Sequence, residues 1–192
     1  MNSYIPKGYK AQPTSVRKIR DTANKLRRDL GLGLYAIDMV DFMEFNLPRL
    51  YPDFALEPSD DKKLHDKQFE AYFEPTGSVI VVREDVYLNA TDPNNKSLRH
   101  QFTFAHEVGH FILHKGLNPV MPRGKFIHKP YEDTEWQADT FAAELLMPYD
   151  VVVGILSQVN GLEAIDKVMN YFKVSWDAAR VRVDKVLKEL NR

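Results

Sequence analysis

The sequence predicts a mixed α/β fold of the α+β kind, with helices towards both ends and a small sheet between them. Three observations carry that expectation. Apolar residues recur every three or four positions in several segments, one central stretch alternates instead and is rich in β-branched residues, and 44% of the 192 residues are hydrophobic. That composition is enough to build one core without staples.

Residues 14–30 set Val16, Ile19, Thr22 or Ala23, Leu26 and Leu30 on one face, with Ser15 as N-cap and Gly31 as the stop. Residues 35–45 read as a second helix closed before Pro48, and the Pro- and Asp-containing residues 52–61 as a loop. Residues 69–73 and 78–82 read as a hairpin around Pro75-Thr76-Gly77, with a third short strand near residues 86–88. After a turn at Asp92-Pro93-Asn94-Asn95, a helix over 97–114 ends at Gly116. Another covers 132–147 and stops at Pro148, turning Trp136, Phe141, Leu145 and Leu146 to the core. Helices over 162–172 and 176–190 follow. The second takes Ser175 as N-cap and Val181, Val183, Val186, Leu187 and Leu190 as its apolar face. The chain thus divides into a main domain over 1–148 and a C-terminal helical extension over 149–192, packed on it and helix-turn-helix-like in outline.

Composition excludes several classes. No cysteine is present, which removes disulfides, thiolate metal sites and cysteine nucleophiles together. Any metal must rest on histidine and carboxylate. The first residues are polar, and apolar runs such as residues 79–82 and 151–153 are far too short to cross a bilayer, so the chain reads as cytoplasmic with no membrane role. Lys and Arg number 26 against 27 Asp and Glu, a net charge of −1 that draws the molecule to no polyanion as a whole. Locally the balance differs: residues 1–30 hold eight basic groups against two acidic, and residues 31–75 four against ten. The run Arg17, Lys18, Arg20, Lys25, Arg27, Arg28 reads as a solvated helix face. Direct DNA binding would run through Arg180, Arg182, Lys185 and Lys188 of the last helix. The plainer reading is a packing helix with a basic outer face.

The chemistry lies in the 97–114 helix. His106-Glu107-Val108-Gly109-His110 is a His-Glu-x-x-His motif, whose i, i+4 spacing stacks both imidazoles towards one metal, usually zinc. Glu107 stands beside them as the base that takes a proton from a metal-activated water and returns it to the leaving amine. A catalytic zinc needs a third protein ligand and one open position, and His114, His128, Glu135 and Asp139 are the candidates. A metzincin arrangement would need Gly at 113 and His at 116. The chain has Leu113 and Gly116, and a gluzincin-like Glu on a second helix fits better. The spacing allows Glu135 to ligate and Asp139, one turn later, to accept the free ring N–H of a ligand histidine. His114 sits two turns beyond His106, about 12 Å along the axis, and reads as packing or capping the last carbonyls. His128, in a loop, is a candidate transition-state stabiliser, while His100 and His65 read as surface residues. The strand over 78–82, if at a sheet edge beside the cleft, would pair with an extended substrate by β-augmentation.

Two blocks make a resemblance specific. Phe102-Thr103-Phe104-Ala105-His106-Glu107-Val108-Gly109-His110 and Glu135-Trp136-Gln137-Ala138-Asp139-Thr140-Phe141-Ala142-Ala143-Glu144-Leu145-Leu146-Met147-Pro148 resemble the ImmA/IrrE family of zinc metallopeptidases. Gln101 departs from that pattern, which usually has Arg there. The resemblance continues more weakly through Phe172-Lys173-Val174-Ser175 and Ala178-Ala179. It implies a zincin-like domain with a small sheet, an active-site helix, a supporting helix and a short helical C-terminal part. It also implies His106, His110 and Glu135 as Zn2+ ligands and Glu107 as the base. Members of the family act in bacteria and their mobile elements, commonly by cleaving a helix-turn-helix repressor, so the resemblance implies a protein substrate of that kind and an antirepressor role.

Overall fold

The computed structural model describes residues 4–66, 69–74, 77–92, 98–117 and 128–191, apart from the side chains of residues 63 and 65. The expected turn residues 75, 76 and 93–95 and the His65 side chain lie outside the described residues.

Helix α1 (Val16–Asp29) starts where Ser15 Oγ accepts the Lys18 N–H at 3.3 Å, and it ends ahead of Gly31, whose φ of 67° suits glycine. Ile19, Ala23 and Leu26 are buried as expected, but so is Arg27, which the sequence placed on a solvated face. Its guanidinium donates to the carbonyls of Gly33, Tyr35 and Leu145 instead.

The second helix begins later than its apolar pattern suggests. Asp38 accepts the Val40 N–H and opens α2 (Met39–Asp41), which runs on as a π-turn (Phe42–Asn46) and a 3-10 turn (Leu47–Arg49). Pro48 does not close the helix from outside. It sits in the first turn of the 3-10 segment, where its missing N–H costs nothing. Gln101, at the position that departs from the family pattern, is buried and accepts the Met39 N–H at 2.8 Å, tying α2 to the central helix.

Residues 52–61 are more than a loop. Ala55–Ser59 forms β1, whose Pro58 is tolerated because the strand has one free edge. Helix α3 (Lys62–Asp66) follows, then β2 (Ala71–Glu74) and β3 (Val79–Arg83) in the expected antiparallel pairing, Ala71 opposite Val82 and Glu74 opposite Val79. Strand β1 pairs parallel to β3, Ala55 opposite Val79 and Ser59 opposite Arg83. The order β1-β3-β2 therefore makes β3 central, which overturns the expectation that residues 78–82 offer a substrate-binding edge. Residues 86–88 are likewise not a strand. Helix α4 (Glu84–Thr91) takes them, with Glu84 and Asp85 at its positive end and Val86 and Ala90 buried one turn apart.

Helix α5 (Arg99–His114) lies against the sheet, where the Phe111 ring meets Phe54, Tyr51 and Phe73 at 5.0, 5.1 and 5.7 Å between centroids. Helix α6 (Thr134–Leu146), capped by Asp133, packs against α5 and α1, and almost every residue from Gln137 to Leu146 is buried. Gly109 permits the α5–α6 contact: a Cβ there would stand 3.1 Å from both Cα and O of Ala138. Three more helices follow, α7 (Tyr149–Leu156), α8 (Gly161–Phe172) and α9 (Trp176–Leu190). Helix α7 is not expected from the sequence pattern, in which Pro148 signals a stop; here Pro148 both ends α6 and opens the next helix as its N-cap. In α9, Ala179, Arg182, Val183 and Val186 face inward, whereas Val181, Leu187 and Leu190 are exposed, so its buried stripe is narrower than its apolar pattern. The inward Arg182 bonds both oxygens of the fully buried Glu144 at 3.0 and 2.6 Å, joining α9 to α6. Among the described residues no helix is long and apolar enough to cross a membrane.

Candidate active site

The i, i+4 spacing on α5 places His106 and His110 with their Nε2 atoms 3.0 Å apart. The α5–α6 contact at Gly109 brings Glu135, in the first turn of α6, to meet them: its Oε2 lies 3.3 Å from His106 Nε2 and its Oε1 3.4 Å from His110 Nε2. A tetrahedral ion with bonds of about 2.0–2.1 Å spaces its ligand atoms by about 3.3 Å, so the three donors fit such an ion and leave its fourth position open. Asp139, one turn after Glu135, accepts at 2.9 Å from His106 Nδ1, which leaves His106 Nε2 as the atom turned to the cluster.

The electrostatics are those of a cation site. The His106 and His110 rings against it hold the Glu135 carboxyl far below the usual carboxylate range, outweighing its burial. Burial opposes charge on His106, yet its hydrogen bonds to Asp139 and Glu135 and the nearby Glu107 charge hold it up to about 10. Glu107 behaves oppositely: burial pushes its carboxyl up, against the pull of His110, His106 and the Phe73 N–H. That N–H donates to Glu107 Oε2 at 2.7 Å, fixing the carboxylate from the β2 edge and leaving Oε1 without a hydrogen-bond partner among the described residues. The residues front a cleft of about 260 Å³ walled by Tyr9, Phe69, Tyr72, Phe73 and Leu117.

The structure thus brings together His106, Glu107, His110, Glu135 and Asp139. It does not bring in His128, whose buried ring bonds Asp133 Oδ2 through Nε2 at 3.0 Å and is absent from the cleft wall, so the transition-state role has no geometric basis. His114 is buried, and its ring bonds His110 on one side and Gln137 on the other rather than a helix-end carbonyl. Burial pushes it down to about 4, a neutral imidazole despite its hydrogen bond to Gln137. His100 is not a plain surface residue either, since its side chain is mostly covered and faces Glu70 and the Phe104 ring.

Three features were missed. The main chain near the N-terminus lies along the start of α6: Lys7 and Gly8 N–H donate to the Asp133 carboxylate, and Tyr9 N–H donates to Thr134 Oγ1 at 3.0 Å. A Cβ on Gly8 would collide with Thr134 Oγ1 and stand 2.8 Å from Glu135 Cγ, so this strap rests directly on the carboxylate stem. The second is Gly109, which the motif carries only as a variable position between the two histidines, and the third is Gln137. The signals available were a glycine between two ligand positions and a polar residue two places after Glu135 in an apolar helix.

A His-Glu-x-x-His helix facing a carboxylate from a second helix defines a metallopeptidase type of site. Residues 52–184 match the peptidase M78 family model, described as the IrrE N-terminal-like domain, and the chain belongs to that family. It is also 35% identical over 83 residues to the metallopeptidase ImmA of Bacillus subtilis (strain 168), an alignment covering 42% of this chain and 47% of that protein. The chain therefore matches about half the length of this relative.

Proposed function

We propose that this protein is an intracellular zinc-dependent endopeptidase that hydrolyses a protein substrate, a helix-turn-helix repressor, and so acts as an antirepressor. The observation that carries the peptidase reading is the convergence of His106, His110 and Glu135 on one point with Glu107 beside it. The family supports the metallopeptidase class, and the motif resemblance supports the repressor as substrate.

His106 and His110 through Nε2 and Glu135 through its carboxylate would hold the ion. When bound, zinc supplies Lewis acidity that acidifies a water and polarises a peptide carbonyl. Glu107 Oε1, without a hydrogen-bond partner among the described residues while Oε2 is pinned by Phe73, would take the water's proton and deliver it to the leaving amine. The upward push on its carboxyl suits both halves of that task. Strand β2, not β3, is the edge strand beside the cleft, so an extended substrate would pair along the part of that edge not taken by the Phe73–Glu107 bond. Direct DNA contact through α9 is the weaker reading, since Arg182 is held by Glu144 and Arg180 lies between Asp177 and Asp184.

The test is Glu107→Gln incubated with a helix-turn-helix repressor that the wild-type protein cleaves. Retained zinc with cleavage slowed by about 10²–10⁴-fold supports the mechanism. Cleavage at the wild-type rate refutes it, and a cellular effect that survives in this variant would move the function from hydrolysis to binding.

A further inference from the structure

We propose that Gln137 and His114 form a hydrogen-bond relay that fixes His110 in its Nδ1–H tautomer, so that a bare Nε2 faces the metal position before any metal arrives. The relay rests on the reading of His110 as a metal ligand and adds two positioning residues to it.

The direction of each bond follows from its far end. Gln137 Nε2 lies 2.9 Å from the Gln12 carbonyl and 2.8 Å from the Tyr131 carbonyl, and a carbonyl can only accept. Both amide hydrogens are thus used, and Oε1 is left as the acceptor. It stands 3.0 Å from His114 Nε2, which must therefore carry a proton. His114 is buried and, among the described residues, bonds to no carboxylate, so a second proton on its ring would be an uncompensated buried charge. Its Nδ1 is then a lone pair. His110 Nδ1 lies 3.1 Å away and must donate to it, which leaves His110 Nε2 without a hydrogen. That atom is the one 3.4 Å from Glu135 Oε1.

The two histidines are thus set by different devices. His106 is oriented by a carboxylate, whereas His110 is oriented by a neutral chain that ends in two backbone carbonyls. One of these, Gln12, belongs to the segment that leads from the N-terminal strap into α1. Losing such an outer partner weakens metal binding by about 10–100-fold in comparable sites.

The test reads histidine nitrogens by long-range ¹H–¹⁵N correlation in metal-free protein at pH 8, together with zinc affinity by competition against a chelating dye. The wild type should show His110 protonated at Nδ1 only and His114 at Nε2 only. Gln137→Met and His114→Phe should each mix the His110 tautomers and weaken zinc by about 10–100-fold. Asp139→Asn should leave the His110 tautomer as it is. A wild-type His110 protonated at Nε2 overturns the relay, as does an unchanged tautomer or unchanged zinc affinity in both variants. The tautomers are read without metal or substrate, so a failure of the peptidase reading, seen as cleavage that persists in Glu107→Gln, remains distinguishable from a failure of the relay.

Discussion

Replacing Gly109 by alanine tests whether the contact between α5 and α6 assembles the metal donors. The added methyl would stand 3.1 Å from Cα and O of Ala138 and 3.3 Å from Phe141 Cδ1. Ordinary carbon contacts are about 3.5–4.0 Å, and a helix backbone cannot rotate away as a side chain would, so the helices must part by about 0.5 Å. Such overpacking costs about 1–3 kcal/mol, and the better helix propensity of alanine offsets about 1 kcal/mol of it. The net loss of stability is about 0–2 kcal/mol. Zinc binding suffers more. His106 and His110 ride on one helix and Glu135 on the other, so the 3.3 and 3.4 Å spacings across the gap open by a comparable amount. The expected result is zinc affinity lower by about tenfold or more, the scale on which loss of supporting contacts acts. Zinc competition and thermal unfolding of the metal-free protein measure the two effects separately. Gly154→Ala is the control: nothing lies within 4 Å of its Cβ position on α7, so it should stabilise by up to about 1 kcal/mol and leave zinc binding alone. Wild-type zinc affinity in Gly109→Ala would refute the reasoning.

Arg182→Leu should cost about 3–5 kcal/mol in urea denaturation, because it strips the fully buried Glu144 of its bidentate partner and leaves it, among the described residues, with Arg20 at 3.1 Å. The double variant Glu144→Leu, Arg182→Leu should recover much of that loss, and a double variant less stable than the single one would show that the pair contributes through packing alone. For pH, the amide donors of Gly8, Lys7 and Trp136 and the His128 ring hold the Asp133 carboxyl low despite its burial. Its contribution is therefore complete above the ordinary Asp value of about 3.9 and fades as pH falls through its lower folded value. The protection of the Gly8 and Tyr9 amides relative to their intrinsic exchange rates should fall below about pH 4, ahead of the amides of α5, and simultaneous loss of protection in both sets would argue against a separately held strap.

The site was legible because its chemistry is local. His106, Glu107 and His110 lie on one helix, and 3.6-residue periodicity alone stacks them. Glu135 and Asp139 were legible as a pair one turn apart on the 132–147 helix, with their roles towards the metal supplied mainly by resemblance rather than by spacing. The misread elements share a different cause, since tertiary context decided each of them. Val86 and Leu88 have strand-like chemistry but follow two carboxylates that favour a helix start. Residues 55–59 become a strand only because β3 offers them an edge. Arg27 carries the same local signal as Arg28, yet it points between Gly33, Tyr35 and Leu145 and is buried, whereas Arg28 is exposed.

The charge pattern along the chain acquires a physical meaning from these contacts. The basic runs near both ends read from sequence as solvated helix faces, yet three of their arginines lie inside the fold. Arg20 of α1 and Arg182 of α9 meet at Glu144 of α6, and Arg20 also pairs with Glu189 of α9 while its guanidinium stacks over the Tyr149 ring, 3.7 Å from the centroid. Arg27 joins α1 to the end of α6 through the Leu145 carbonyl. The helix they grip is the one that carries Glu135 and Asp139 at its start. Removing any of these arginines should therefore be felt through the seating of α6 against α5, with the 3.3 and 3.4 Å donor spacings as the quantity that moves. On that reasoning, substitutions far from the cleft at Arg20 or Arg182 lower zinc affinity as well as stability, whereas substitutions at the exposed Arg28 of the same basic run lower neither.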